Sequence, residues 1–248
     1  MFNADIEDID DSPKSAFQEI LAHERPRRLA EQYYSTDKYF LGLDLGEIKD
    51  FSALSIIKRT PDNDRLQLIS LKRFALGTSY PVIAQQIKSI MYRPALRKGN
   101  SLLIADATGV GLPVIEMIRQ KGLRCLGVWI TGGEKAIRKR DSRGKLADDY
   151  RIPKLSLISN LLVKMQDSKL EISGRLRLGP TLIEELQNFE KKISLTSGHE
   201  SFGAWREGTY DDLTLATSLS TWFASTNTNP MPFRPRVMIS GSRPYMRL

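Results

Sequence analysis

The sequence predicts a mixed α/β domain, and three observations carry that prediction. Lys38–Gly46 (KYFLGLDLG), Phe51–Arg59 (FSALSIIKR) and Leu66–Leu76 (LQLISLKRFAL) are apolar, strand-like runs. Short turns join them, which is the pattern of an antiparallel meander. Beyond them, segments with helical apolar spacing alternate with short buried runs. The resulting order is strand, strand, strand, helix, strand, helix, strand, and then mostly helices. That order departs from the strict βαβ alternation of a doubly wound nucleotide-binding sheet.

Taken in order, residues 1–36 read as an N-terminal arm or linker. They are acidic first and basic later, at His23-Glu24-Arg25-Pro26-Arg27-Arg28, and Ser15–Ala22 and Leu29–Tyr34 can form short helices. The domain proper is expected over 37–226. Asp62-Asn63-Asp64 marks the turn between its second and third strands. From Pro81 to Leu96, apolar residues at Val82, Ile83, Ile87, Ile90 and Met91 have helical spacing. Ser101–Gly109 (SLLIADATG) is a short buried strand. Leu112–Lys121 is a helix, with Pro113 in its first turn and Gly122 beyond its end. Leu123–Thr131 (LRCLGVWIT) is a fifth strand with Cys125 in the core. Thr131–Tyr150 is rich in glycine and basic residues and reads as a loop. Two helices are expected at Pro153–Asp167 and Pro180–Lys191, with extended pieces at Leu170–Ile172 and Arg175–Leu178 between them. Ile193–Gly198 is a further strand, and Asp211–Ala224 a final amphipathic helix. Residues 227–248, with Pro230, Pro232, Pro235 and Pro244 among arginines, form an irregular C-terminal tail.

Composition narrows the function. Of 248 residues, 41% are hydrophobic, enough for a real core and too many for a disordered chain. No uncharged apolar stretch is long enough to span a bilayer, and the acidic N-terminus does not read as a signal peptide, so a cytoplasmic protein with no membrane partner is expected. One cysteine and two histidines leave no material for a disulfide framework or a Cys/His metal site. Any metal must therefore be held by carboxylates. Residues 1–20 carry six acids and one lysine, net −5, so the chain's formal charge of +8 leaves +13 on the rest. A body that basic suits a polyanion, nucleic acid first.

Three acidic positions stand out. Asp44 ends an otherwise apolar strand, and Asp106 repeats the device, followed by Thr108-Gly109-Val110-Gly111. Asp211-Asp212 opens the final apolar helix. Each alone reads as a turn former or helix cap. Together they differ, because converging carboxylates on adjacent elements are costly to bury unless a cation compensates. Such a set makes a hard oxygen site for Mg²⁺ or Mn²⁺. Two such ions side by side are a common device in phosphodiester hydrolysis. The basic stretch, with Lys135, Arg138, Lys139, Arg140, Arg143 and Lys145, directly follows a predicted central strand and suits contact with a DNA backbone.

Five blocks carry a resemblance: YFLGLDLG…DFSALSIIKR, LLIADATGVGLPVIEMI, PKLSLISNLLVKMQDSKLEI, LIEELQNFEKKIS and GHESFGAWREGTYDDLTLATSLSTW. In order and spacing, over roughly residues 38–224, they resemble the nuclease domain of phage terminase large subunits. That resemblance implies a ribonuclease H-like fold, related to RuvC-type junction resolvases. Its mixed sheet has three antiparallel strands first, then parallel ones, flanked by helices. It also implies a two-metal endonuclease that cuts double-stranded DNA during viral genome packaging, in the host cytoplasm if viral. Asp44, Asp106 and Asp212 would be the catalytic metal ligands, with Asp211 an N-cap or neighbouring acid able to reach the metal. Glu185, on a helix face taken as exposed, and His199 would stand behind them as a second layer. Where many members carry a histidine before the acid pair, this chain has Tyr210. No G-x-x-x-x-G-K-[ST] phosphate loop is present, so a nuclease part without the ATPase motor is expected, with a separate packaging ATPase, portal or small terminase subunit as partner. A RuvC-like junction resolvase and a non-catalytic DNA-binding or assembly module are the competing classes.

Overall fold

A computed structural model describes residues 37–46, 50–61, 65–98, 100–133, 135–140, 146–193, 200–204 and 210–226. The expected arm over 1–36, the expected tail over 227–248, and His199, Arg143 and Lys145 lie outside the described residues. The three leading apolar runs form β1 (Lys38–Asp44), β2 (Ala53–Arg59) and β3 (Leu66–Arg73). They pair antiparallel, as the short turns between them require. Helix α1 (Tyr80–Met91), with proline in its first turn, and the short α2 (Pro94–Lys98) lead to β4 (Asn100–Asp106). Helix α3 (Gly111–Gln120) and β5 (Cys125–Thr131) follow as expected.

The basic stretch departs from the expected loop. It forms β6 (Ile137–Arg140), which pairs antiparallel with β7 (Leu146–Pro153). Strand pairing uses backbone groups, so an edge strand needs no apolar alternation, and charged residues are common there. Next come α4 (Lys154–Gln166), the short β8 (Leu170–Ile172) and α5 (Gly179–Gln187). Arg175–Leu178, expected to be extended, is instead two consecutive turns, closed by Leu176 N–H to the Ser173 carbonyl and Gly179 N–H to the Leu176 carbonyl. The helix expected to reach Lys191 stops at Gln187, and β9 (Phe189–Ile193) pairs antiparallel with β10 (Glu200–Ala204). Helix α6 (Asp212–Ser225) closes the described domain.

Among the described residues the main sheet has eight strands in the order β6-β7-β5-β4-β1-β2-β3-β8. The β1–β4, β4–β5, β5–β7 and β3–β8 pairs are parallel. The predicted mixed sheet, antiparallel over its first three strands and then largely parallel, is therefore the observed one.

Side-chain alternation along β1 explains how the sheet is covered. Tyr39, Leu41 and Leu43 face one core with Ile83 and Ile87 of α1 and Val114 and Ile118 of α3. Phe40 faces the other, with Leu102 and Ile104 of β4, Leu157 and Leu161 of α4, and Leu213, Ala216, Leu219 and Phe223 of α6. Gly42 shares the parity of Phe40, and a Cβ there would lie 2.0 Å from the Ala216 carbonyl oxygen. Glycine at this position lets the α6 backbone lie against β1. Polar stitches reinforce the contact: the Ser55 hydroxyl on β2 lies 2.8 Å from the Ala216 carbonyl and 2.7 Å from the Ser220 hydroxyl. Helix α6 is buried along nearly its whole length.

Candidate active site

The same parity places the acids. Asp44 lies two residues beyond Gly42 on the α6 face of β1, and Asp106 lies two beyond Ile104 on that face of β4. The two strands are parallel, with Leu43 opposite Ala105, so both acids arrive at the same end of the sheet, one step past that pair. Ala216 covers Gly42, and Asp212 lies one turn earlier on the helix, at the level of Asp44. A cavity of about 360 Å³ opens there, lined by Asp44, Asp50, Asp106, Asp211 and Asp212 with Thr108, Phe51 and Tyr210 among others. This is the carboxyl end of the parallel strands, where open α/β sheets commonly bind their ligands.

The turn after Asp106 is tailored to this position. The Asp106 carboxylate accepts the Thr108 N–H at 2.8 Å, and the Thr108 hydroxyl accepts the Ile130 N–H at 3.0 Å. A Cβ at Gly111 would sit 1.9 Å from the Asp106 carbonyl oxygen, so the start of α3 packs this close only with glycine. Burial pushes the Asp44 carboxyl well above the ordinary carboxylate range, and the charges of Asp106, Asp211 and Asp212 push the same way, with Lys154 opposing. Asp106 is also raised by burial, against the Thr108 hydrogen bonds and the Lys154 charge.

The adjacent acids of α6 have different surroundings. Asp212, only 4% exposed, accepts two hydrogen bonds from Arg73 at the end of β3, Nε to Oδ2 and Nη2 to Oδ1, both 2.9 Å. Arg73 Nη2 also donates to Glu185, whose other oxygen accepts the Thr214 N–H at 2.9 Å. Glu185 on α5 thus satisfies a free N–H in the first turn of α6 from outside that helix. Phe51 and Tyr210, edge to face at 4.8 Å, lie against the Arg73 guanidinium at 4.7 and 5.7 Å. Burial, then the Asp212 charge, pushes the Glu185 carboxyl up to about 7, with Arg73 and the Thr214 N–H opposing. Burial also raises Asp212 against the pull of Arg73. Asp211 occupies the N-cap position of α6 but makes no side-chain cap; its carboxylate accepts from Lys154 at 3.0 Å.

The structure therefore brings Asp44, Asp106, Asp211 and Asp212 to one cavity. Glu185, expected on an exposed face, is buried instead, because Arg73 of a distant strand reaches it. Sequence reasoning missed Arg73, Lys154, Asp50 and the aromatic pair. Lys154, the first residue after Pro153 in a helix start, gave a weak signal, and Arg73 gave none. In the basic stretch Lys135 and Arg138 are exposed. The Lys139 ammonium lies 3.5 Å from the Trp129 ring centroid, and the Arg138 guanidinium 5.6 Å from that of Tyr150. The Arg140 backbone belongs to β6.

The donor chemistry suits a hard divalent cation: every ionisable group lining the cavity, apart from the Tyr210 phenol, is a carboxyl, and three acids act on the buried Asp44 with no cation among the lining residues. Among the described residues, no three Asp, Glu, His or Cys side chains already stand together as a metal cage. Asp212 is turned to Arg73 and Asp211 to Lys154.

The mixed sheet, opening with an antiparallel meander and carrying an acid-lined cavity at the carboxyl end of its parallel strands, is similar to the ribonuclease H-like fold of terminase nuclease domains. No family model matches the chain. It is 23% identical over 203 residues to the terminase large subunit of Thermus virus P23-45; the match covers 81% of this chain and 35% of that protein, so the chain spans about a third of the relative's length. Its fold is that of the large terminase nuclease from thermophilic phage G20c solved with bound magnesium (TM-score 0.55, 20% identity, 75% of this chain and 81% of that one). The human cytomegalovirus terminase nuclease domain is similar at a TM-score of 0.50 and 14% identity, over 77% and 85% of the two chains.

Proposed function

We propose that this chain is a metal-dependent DNA endonuclease acting in viral genome packaging. One observation carries the reading: Asp44, Asp106 and the α6 acid pair converge on one cavity at the end of the sheet. The similarity to terminase large subunits, and the magnesium bound by the phage G20c nuclease, support it. Asp44 and Asp106 would hold Mg²⁺ or Mn²⁺ from neighbouring strands, and one acid of the pair Asp211 and Asp212 would complete a site for two ions. Bound there, the ions would activate water and stabilise the leaving oxygen of a phosphodiester.

The chain's own residues prepare that chemistry. The Thr108 N–H fixes the Asp106 carboxylate in orientation. Glu185 and Arg73 anchor the first turn of α6, so its acids keep their place over β1. Strand β5 is parallel to β4 and ends beside Thr108, so Lys135, just past that end, starts the basic hairpin at the cavity end of the sheet. Lys135, Arg138, Lys139 and Arg140, with Arg143 and Lys145 in the same stretch, would hold the phosphates of double-stranded DNA without reading its sequence. A packaging ATPase, the portal and a small terminase subunit are the partner classes that fit a nuclease of this type.

The test is plasmid nicking by the purified chain. Cleavage with Mg²⁺ or Mn²⁺ that stops in excess EDTA is expected. Undiminished cleavage in EDTA would overturn the metal reading, and absence of cleavage with DNA binding retained would favour an assembly module.

A further inference from the structure

We propose that Lys154 is the exchangeable counter-ion of the carboxylate cavity: it holds Asp211 in the metal-free protein and yields it to a divalent cation, while Arg73 keeps Asp212 throughout. This inference rests on the metal-site reading above and specifies which acid of α6 turns to the metal.

The two ion pairs differ in every property that governs exchange. Arg73 grips both oxygens of Asp212 through two N–H groups of a rigid, permanently charged fork. The same guanidinium binds Glu185 and lies against Phe51 and Tyr210. Detaching Asp212 would leave two carboxylate charges to share less of one guanidinium, in a site where the Arg73 side chain is 18% exposed and the Asp212 side chain 5%. Uncompensated charge at such burial is costly. Lys154 instead meets Asp211 through its ammonium, at 3.0 Å, at the end of a flexible four-carbon stem. Both side chains are about a quarter exposed, 24% and 27%, so water can take up either partner when they separate.

Lys154 also stands where a competing cation should stand. It comes from the first residue of α4, which follows β7 directly, and its charge reaches Asp44 and Asp106 as well as Asp211. It is not among the residues lining the cavity; it acts on the site through its ion pair with Asp211 and through its charge at Asp44 and Asp106. Lys154 is thus a positioning residue. In the absence of metal it lowers the repulsion among the acids, and on metal binding it must give way.

The experiment is isothermal titration of Mn²⁺ into the DNA-free protein, comparing wild type with Lys154→Met, Lys154→Gln, Lys154→Arg, Asp211→Asn and Asp44→Asn, each checked for folding by circular dichroism. A removed competitor should raise affinity, so Lys154→Met and Lys154→Gln are expected to bind Mn²⁺ several-fold more tightly than wild type while melting lower without metal. Lys154→Arg, which keeps the charge and can grip both oxygens, should bind Mn²⁺ more weakly than wild type. Asp211→Asn should weaken binding. A lysine with a structural role alone would lower the melting temperature of Lys154→Met and leave Mn²⁺ affinity unchanged or reduced; that result in a folded variant overturns the proposal, as does unaltered affinity in Asp211→Asn. If wild type binds no Mn²⁺, or Asp44→Asn binds it as well as wild type does, the underlying metal-site reading fails, and this inference with it.

Discussion

Two groups of carboxylates share one end of the sheet and differ in what surrounds them. Asp212 and Glu185 are buried around a guanidinium and bound at every oxygen, a closed network joining β3, α5 and α6. Asp44, Asp106 and Asp211 line the cavity with hydrogen bonds from Thr108 and Lys154 as their described partners. Residue type alone does not set a carboxylate's surroundings, even for two aspartates adjacent in sequence. In the proposed reading the nearest cation sets the role: an acid gripped by a fully engaged guanidinium stays with it, and an acid held by a single ammonium or by none is open to a ligand.

The largest stability effect should come from the closed network. Losing Asp212 costs Arg73 two charged hydrogen bonds and leaves Glu185 as its carboxylate partner, so Asp212→Ala should cost about 2 kcal/mol in denaturant unfolding without metal. Asp211→Ala should cost well under 1 kcal/mol, because the pair it loses is near the surface and salt-screened. Equal losses in the two variants would erase the distinction between the networks.

A smaller effect sharpens the same comparison through pH. A carboxyl whose pKa is raised by folding holds more protons in the native state between its unfolded and folded values, so stability falls as pH rises through that window. For Glu185 the window runs from the ordinary value of 4.5 up to about 7, and Asp44 is displaced in the same direction. In EDTA the melting temperature should therefore drop as pH is raised from about 5 to about 8. Glu185→Gln should flatten part of that drop, and Mg²⁺ should oppose the rest by occupying the open acids. A melting temperature that rises across this range in EDTA would contradict the assignment.

Much of the fold was legible because apolar pattern and turn chemistry agreed. β1 to β5 and α3 stand where strand-like runs, Pro113 and Gly122 put them. The helix expected from Pro81 to Leu96 instead stops at Met91 and α2 starts afresh at Pro94, because a proline disfavours helical backbone in the residue before it. Asp44 and Asp106 were legible for a related reason, since a charge ending an otherwise buried strand is conspicuous. The β6–β7 hairpin was not, because an edge pairing of Ile137–Arg140 leaves no hydrophobic alternation to read. The end of α5 was misjudged because Glu184 to Lys191 suits helix and solvated strand equally well, and pairing with Glu200–Ala204 selects the strand. The partition of the acid pair depends on Arg73 and Lys154, which lie 139 and 57 positions from their partners. Such contacts exist only once the sheet and helices have assembled, and no local pattern encodes them.

The central claim is that the open acids hold the metal that cuts DNA, and Asp44→Asn and Asp106→Asn test it most directly. Plasmid nicking with Mn²⁺ and DNA binding in EDTA should be measured side by side on both folded variants and on wild type. Nicking should be abolished while DNA is bound as tightly as before or more tightly, because each change removes a carboxylate that repels phosphate. Wild-type nicking in either variant would contradict the account.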